Sequence, residues 1–245
     1  MRAVSTVVRI RRDATPVASA AAPSAGEFLS GMPWFTALDE VERRRLTSET
    51  VVRILPAGAW LAREGDAPAF WYGVIEGLLK LCCHRQDGRS LTFTGVCAGS
   101  WFGEGTIFKR EARRYDVIAL QETHVACVPS AAFNRLLQTS FEFNHFVLEL
   151  LNERCGQFIG RYIGQAMLNA DAQVANALAG LFHPRLYPHM DAHLKISQEE
   201  VANLSGISRP RCNEALHRLK EAGLLRTEYG GITIVDLIGL HNFRG

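Results

Sequence analysis

The sequence lacks the features that mark membrane, secreted and broadly basic proteins. No run of apolar residues approaches the roughly 18 that a membrane-spanning helix needs. Arg9, Arg11 and Arg12 lie near the N-terminus without an apolar stretch before a cleavage site, so we expect no secretory signal. The 27 Lys and Arg residues nearly balance the 25 Asp and Glu residues, for a net charge of +2. This balance excludes a surface that binds polyanions everywhere, although it allows a local basic patch.

Cysteine is scattered, and no CxxC spacing occurs. This pattern argues against a disulfide framework and favours reduced thiols in the cytoplasm. Cys82 and Cys83 are adjacent in a predicted strand, so their side chains point to opposite faces and cannot hold one metal ion together. His189 and His193 lie in a proline-containing loop without a third ligand. We therefore predict no metal site. The six cysteines are at positions 82, 83, 97, 127, 155 and 212.

Changes in composition and hydrophobic pattern divide the chain into segments. Residues 1–26 are rich in Ala, Ser, Pro and Arg without a period, which predicts a flexible tail. A helical pattern follows around Phe28 to Leu46, with Asp39 as its predicted N-cap. Short β-rich runs then alternate with Gly, Pro and Asp turn signals, which predicts a β-barrel or jelly roll. The predicted strands are 51–55, 60–63, 70–76, 78–84, 90–96, 117–119 and 125–128.

A long helix is predicted over residues 141–170. Its apolar positions recur every three or four residues and form one stripe, which can pack on its own domain or on a partner's copy. A second row at i+4 spacing consists of Gly156, Gly160 and Gly164. These glycines indicate either a close helix–helix approach or a weak, bent helix. Asp171 is the predicted cap of the next helix, which runs through Phe182.

The strongest local signal lies between residues 196 and 223. Ser197 followed by Glu200 is a capping-box pattern that starts a helix. Gly206 stands where a helix-turn-helix bends sharply, and Ser208 is predicted to cap the second helix. Two β-rich runs around a Tyr-Gly-Gly turn then predict a hairpin, which completes a winged arrangement.

The outward face of that second helix begins with Arg209, Arg211 and Asn213. A recognition helix places its N-terminal residues at the base edges, where Arg suits guanine and Asn suits adenine. Residues 170–245 hold eight Lys and Arg and eight Asp and Glu, so binding must rest on a local patch presented by two copies. The predicted DNA-binding residues are Ser197, Ser208, Arg209, Arg211, Asn213 and Arg218.

The order of these parts resembles the cyclic-AMP receptor protein/FNR (Crp/Fnr) family of transcription regulators over roughly residues 30–240. The motifs that carry the resemblance are Arg63-Glu64-Gly65-Asp66, Ile75-Glu76-Gly77-Leu78-Leu79-Lys80, Phe102-Gly103-Glu104 and Ile207-Ser208-Arg209. They are similar to the family's EGD turn, its glycine-containing strand pair, the start of its cyclic-nucleotide cassette and the opening of its recognition helix. Family oxygen sensors of the FNR type carry an N-terminal cysteine cluster for iron–sulfur, whereas no cysteine precedes Cys82 here.

The resemblance implies an α+β fold with a cyclic-nucleotide-binding-like β-roll (a double-stranded β-helix or jelly roll), a long dimerisation helix and a C-terminal winged helix-turn-helix. The corresponding ranges are 1–26 for the tail, 27–140 for the sensor, 141–170 for the dimerisation helix and 171–245 for the DNA-binding domain. It also implies a homodimer on a two-fold symmetric operator. The predicted dimer-interface residues are Val147, Leu151, Cys155, Phe158 and Tyr162.

Family members that bind cyclic AMP supply a Gly-Glu pair, a later Arg-Ser/Thr pair and a Thr-Ser pair on the dimer helix. This chain keeps the first pair, has Arg113-Arg114 as the second and Phe158-Ile159 as the third. Because two of the three elements are altered, we expect an effector other than cyclic AMP. The predicted pocket residues are Gly103, Glu104, Arg113, Arg114 and Phe158. Alternatively, the arginines belong to a solvated loop and pair with Glu111 and Asp116.

The predicted partners are double-stranded DNA, a second copy of the chain and, if the protein is an activator, RNA polymerase; no membrane partner is expected. No cofactor is assigned, and a nucleotide or another small anion is the candidate effector. We expect no enzymatic activity. The alternatives are an effector-independent dimeric repressor or architectural protein, and a cupin-like metalloenzyme. The enzyme would need clustered His and Glu ligands, whereas only His84 and His124 occur among the strands.

Overall fold

The computed structural model describes residues 23–84 and 90–244. Most of the predicted tail, and the turn between the predicted strands 78–84 and 90–96, lie outside these residues. The first helix begins at Ala25, where the Ser24 hydroxyl accepts a hydrogen bond from the Glu27 amide at 3.3 Å. No helix among the described residues combines the length and apolarity needed to cross a membrane.

The single helical pattern predicted around Phe28 to Leu46 is in fact three short helices. Gly31 ends the first helix, and Pro33 begins the second because proline fits the first turn of a helix. Asp39 caps the third as predicted, since its carboxylate accepts from the Glu42 amide at 2.8 Å. The helices are α1 (Ala25–Ser30), α2 (Pro33–Thr36) and α3 (Glu40–Glu49).

Two four-stranded antiparallel sheets form the predicted β-roll, in the orders β1-β8-β3-β6 and β2-β7-β4-β5. Alternate residues of each strand point inward, so both sheets contribute to one inner core; Leu79 and Leu81 of β4 are examples. The elements are β1 (Val51–Leu55), β2 (Trp60–Ala62), β3 (Phe70–Glu76), β4 (Leu78–His84), β5 (Ser90–Cys97), β6 (Trp101–Phe102), α4 (Glu104–Lys109), β7 (Asp116–Ala119) and β8 (Thr123–Pro129).

An aromatic cluster joins the N-terminal helices and the long helix to the roll. The rings of Trp71 and Trp101 stack with centroids 4.0 Å apart, and Trp34 meets Phe143 edge-on at 4.9 Å. All four side chains are almost completely buried. Such aromatic contacts add to the free energy of burial itself, so they fix the start of the long helix against the sensor.

The long helix α6 (Phe141–Met167) follows α5 (Ser130–Thr139) and ends three residues before the predicted boundary. Ser140 caps α6 by accepting from the Phe143 amide at 3.1 Å. The next helix, α7 (Ala170–Ala179), is capped by Asn169 and not by Asp171 as predicted, because the Asn169 side chain accepts from the Ala172 amide at 2.9 Å. A 3-10 turn at Gly180–Phe182 replaces its last predicted turn.

The C-terminal part consists of three helices and a small antiparallel sheet. The sheet has the order β10-β11-β9, and its β10–β11 hairpin is the predicted wing. The elements are β9 (His193–Leu194), α8 (Gln198–Ser205), α9 (Arg209–Glu221), β10 (Leu225–Glu228), β11 (Gly231–Ile234) and α10 (Leu237–Asn242).

Candidate DNA-reading and effector sites

The turn between α8 and α9 depends on Gly206. Its φ of 73° lies in the left-handed region, which glycine adopts without a Cβ penalty. Ser197 caps α8 by accepting from the Glu200 amide at 3.1 Å. The reciprocal half of the predicted capping box does not form, because the Glu200 carboxylate pairs with Lys80 of the sensor instead.

The second helix, α9, is held on a buried face. Pro210 occupies its first turn, and Gly223 follows its end with a φ of 74°. Ser208 is the N-cap residue of α9, as predicted, and has an extended backbone, but its side chain makes no capping hydrogen bond. The hydroxyl is exposed at the helix start. Four residues face the core: Cys212, Ala215, Leu216 and Leu219.

The opposite face of α9 carries the predicted DNA-reading residues. Arg209, Arg211 and Asn213 are exposed over its first turns. Arg218 is exposed too, but its guanidinium is bound to Asp171 at 2.8 Å and lies 3.5 Å from Glu214. The start of α9 therefore presents cationic and amide groups outward, while Arg218 is engaged within the protein.

Polar contacts attach the predicted DNA-binding domain to the predicted sensor domain. The Arg161 guanidinium of α6 donates to the carbonyls of Thr92 and Phe93 in β5 and of Leu204 in α8. The Tyr187 hydroxyl donates to the Gly95 carbonyl at 3.0 Å. These residues belong to α6, β5, α8 and the loop before β9, so the contacts fix the helix-turn-helix against both the roll and the long helix.

The sensor interior holds a buried cation, Arg113, and a buried carboxylate, Glu104. Arg113 is 2% exposed and Glu104 is 4% exposed. The Arg113 guanidinium carbon lies 5.3 Å from the Tyr72 ring and 5.4 Å from the Tyr115 ring. Among the described residues, Nε and Nη1 of Arg113 and Oε2 of Glu104 have no hydrogen-bond partner. Burial raises the pKa of Tyr72 and of Tyr115, so both rings flank the cation as neutral phenols.

Gly103 lies beside this cation. Gly103 has a φ of 103°, and a Cβ built on it would lie 3.6 Å from Nη2 of Arg113. Arg154 of α6 donates to the Trp101 carbonyl at 2.8 Å and lies 4.0 Å from Glu104. The long helix therefore reaches the sensor interior through Arg154, a contact that the sequence analysis missed.

Two predicted pocket residues lie elsewhere. Arg114 is exposed and pairs with Glu111 at 2.7 Å, as the solvated-loop alternative predicts for it. Asp116 pairs with His84 at 2.9 Å and not with an arginine. Phe158 is 42% exposed and lines a groove of about 940 Å³ between α6, α7 and the C-terminal helix, whereas Gly103, Glu104 and Arg113 do not line that groove.

The apolar stripe of α6 divides into a buried half and an exposed half. Leu151 is half-buried against the core, and its assignment to the interface stays a prediction. Val147 is 1% exposed and belongs to the protein's own core, so its assignment to the interface was wrong. The reason is that the first turns of α6 cover the aromatic cluster. Farther along, Cys155, Phe158 and Tyr162 are exposed. Exposed apolar neighbours extend this half of the helix: Ile159, Ile163 and Met167.

Two family models match the chain. The cyclic nucleotide-binding domain matches residues 52–140, and the Crp-like helix-turn-helix domain matches residues 172–243. The chain belongs to the Crp/Fnr family of transcription regulators. Both matched segments coincide with the roll and the winged helix-turn-helix, so the predicted fold of this Crp/Fnr protein is confirmed.

Relatives of this Crp/Fnr protein include two curated regulators and a solved structure. The cAMP-activated global transcriptional regulator CRP of Haemophilus influenzae is 25% identical, over 74% of this chain and 81% of its own. The regulator Vfr of Pseudomonas aeruginosa is 25% identical, over 78% of this chain and 88% of its own. The structure of FixK2 from Bradyrhizobium japonicum shares the fold, with a TM-score of 0.68 and 16% identity. The match covers 80% of this chain and 98% of the FixK2 chain.

Proposed function

We propose that this Crp/Fnr regulator acts as a homodimer that binds a two-fold symmetric operator through α9 and responds to a small anionic effector in the roll. Helix α9 packs one face against the core and exposes Arg209, Arg211 and Asn213 on the other, which supports DNA binding through this helix. A two-fold dimer presents two such helices, which supplies the second basic patch that a near-neutral chain needs.

The DNA proposal is tested by selecting bound sequences from random duplexes and then titrating the best site in a gel shift at several salt concentrations. We expect a palindromic site and an affinity that falls with salt. Arg209→Ala should cost about 1–3 kcal/mol at one base position, because a lost Arg–guanine pair costs that much. Arg44→Ala, on the exposed surface of the sensor, is the control and should bind normally. Equal weak binding to every sequence would sink the proposal.

The exposed half of α6 supports the homodimer. Tyr162 is 75% exposed and Met167 is 79% exposed, which is unusual for large apolar groups in a row. Gly156 and Gly160 have no atom within 4 Å of a built Cβ, so this face is open to a close helix approach. A second copy of α6 is the occupant we propose, since it offers the same apolar surface.

Light scattering on the purified chain tests the dimer. We expect twice the chain mass for the native protein and a monomer for Ile159→Asp, because the substitution places a charge on the exposed apolar face. Val41→Asp is the control: Val41 is 77% exposed on the sensor helix α3, far from α6 in sequence. A native monomer, or a dimer that tolerates Ile159→Asp, would contradict this interface.

The buried Arg113 supports an anionic effector. Nε and Nη1 of Arg113 have no acceptor among the described residues, which is costly for a buried guanidinium, and a phosphate or carboxylate beside Tyr72 and Tyr115 would supply one. The cAMP-activated relatives make a nucleotide the first class to test, although Arg114 and Phe158 replace the hydroxyl residues that cyclic AMP uses in the family pattern.

A thermal-shift screen with cyclic mononucleotides, cyclic dinucleotides and inorganic phosphate tests the effector. A specific ligand raises the melting temperature by mass action. Arg113→Gln should abolish the shift, whereas its exposed neighbour Arg114→Gln should keep it. If no ligand shifts the native protein, the effector-independent repressor or architectural protein becomes the better description.

The remaining assignments follow from the same family membership. The cysteines of the described residues form no disulfide, which supports a cytoplasmic location for a DNA-binding protein. RNA polymerase is the further partner if the regulator is an activator. The family consists of transcription regulators, and we assign the protein no catalytic reaction.

A further inference from the structure

Three metal-binding side chains converge on one face of the sheet that contains β4 and β7. Cys82 and His84 are two residues apart in β4, so they point to the same face. Asp116 stands directly opposite Cys82 in the antiparallel β4–β7 ladder, which places its side chain on that face as well. The Cys-x-His spacing is the signal that the sequence analysis missed when it considered only the Cys82-Cys83 pair.

The donor atoms of these three residues are close enough to share one ion. One ligand atom from each residue lies within 4.8 Å of the other two. Nδ1 of His84 lies 2.9 Å from Oδ2 of Asp116. The other oxygen of Asp116 accepts a hydrogen bond from the Glu64 amide at 2.8 Å, which fixes the carboxylate as second-layer hydrogen bonds do in metal sites.

The chemistry of this donor set favours zinc. Zn²⁺ binds thiolate, imidazole and carboxylate at about 2.0–2.3 Å in a tetrahedron. Tetrahedral geometry at those bond lengths puts neighbouring donors roughly 3.3–3.8 Å apart. The widest pair of donors must therefore close by up to about 1 Å, while the donors of His84 and Asp116, which are 2.9 Å apart, must move slightly apart. Three protein ligands leave the fourth position for water. The imidazole of His84, whose side chain is 45% exposed, gives solvent access, whereas Cys82 is 1% exposed.

We propose that Cys82, His84 and Asp116 form a Zn²⁺ site on the outer face of the sensor. Binding replaces the thiol proton of Cys82, which passes to solvent, and leaves a thiolate–zinc bond. The site lies on the same strand face as Lys80, two residues before Cys82, and Lys80 contacts Glu200 of the helix-turn-helix. It is separate from the buried Arg113 and from the exposed start of α9.

Cobalt titration of the full-length, chelator-treated protein tests this site. We expect Co²⁺ to saturate at one ion per chain with a sulfur-to-cobalt charge-transfer band, and Zn²⁺ to displace it. Cys82→Ser should remove the band. His84→Ala and Asp116→Asn should each weaken Co²⁺ binding by more than about tenfold, since even outer-layer partners are worth 10- to 100-fold.

Two other thiols provide controls: Cys83, the chain neighbour of Cys82, and Cys155 on α6. Cys83→Ser and Cys155→Ser should keep both the stoichiometry and the band. Circular dichroism checks that each variant is folded, and if Cys82→Ser does not fold, the His84→Ala affinity decides, because that side chain is half-exposed. No saturable Co²⁺ binding, a band that survives in folded Cys82→Ser, a band lost in Cys83→Ser or an unchanged affinity in His84→Ala would each overturn the proposal.

Discussion

The ammonium nitrogen of Lys80 lies 2.6 Å from a carboxylate oxygen of Glu200, and this ion pair connects sensor strand β4 to the first helix of the helix-turn-helix. Both side chains are largely shielded from solvent, with 13% and 21% of their surface exposed. Arg161 reinforces the same junction by donating to carbonyls on both sides. The orientation of the DNA-reading helix is therefore coupled to the sensor through a few charged contacts.

Replacing Lys80 with Met should loosen this junction. The change leaves the shielded Glu200 carboxylate without its cation, which should lower the free energy of unfolding by about 1–3 kcal/mol. Amide hydrogen exchange should accelerate in α8. Urea titration and exchange mass spectrometry measure the two effects. Arg44→Ala removes an exposed ion pair with Glu40 and should change neither, because exposed pairs contribute little. Unchanged exchange in α8 would show that the pair does not hold the junction.

Arg161→Lys should not rescue the contacts that Arg161→Gln breaks. A planar guanidinium can donate in several directions at once, whereas an ammonium cannot reach carbonyls on β5 and α8 together. We expect both variants to lose about 2–4 kcal/mol of unfolding free energy, since hydrogen bonds from charged groups are strong. Limited proteolysis between α6 and α8 is the second measurement. A lysine variant with native stability would refute the bridging role.

Arg218→Ala should affect DNA binding less than Arg209→Ala. Arg218 is engaged by Asp171 at 2.8 Å, so DNA contact would require that pair to open, while Arg209 is exposed at the helix start. Arg218→Ala should instead lower stability slightly, through the unpaired Asp171. Binding isotherms on the selected operator compare the two variants at one salt concentration. An equal loss of affinity would mean that Arg218 leaves Asp171 in the complex.

In the folded monomeric variant Ile159→Asp, where no second α6 covers it, Cys155 should be the fastest thiol to react with an alkylating reagent. It is exposed, whereas burial raises the pKa of Cys127 to about 12 and that of Cys212 to about 11. The thiolate is the reactive form, so the buried thiols are protected twice, by burial and by protonation. Time-resolved peptide mass spectrometry gives the order. If Cys212 reacts as fast as Cys155, α9 opens in the native state; in denaturant all of the thiols should react at similar rates.

Local sequence patterns predicted much of the fold because they depend on near neighbours. The left-handed turn at Gly206 and the cap at Asp39 each involve residues a few positions apart. The β-rich runs likewise matched the strands within one or two residues. The capping box failed at Glu200 because a lysine 120 positions away in the sequence competes for its carboxylate.

The sequence by itself determined the order of the parts: a roll, a long helix and a winged helix-turn-helix, each specified by its own periodicity and turns. Only the tertiary structure decided which charges are buried and which faces are open. It placed Arg113 between two tyrosines, turned Val147 into the protein's own core and brought Asp116 beside Cys82 and His84. The physical reason is that burial and pairing depend on residues far apart in the chain, so a local sequence pattern cannot predict them.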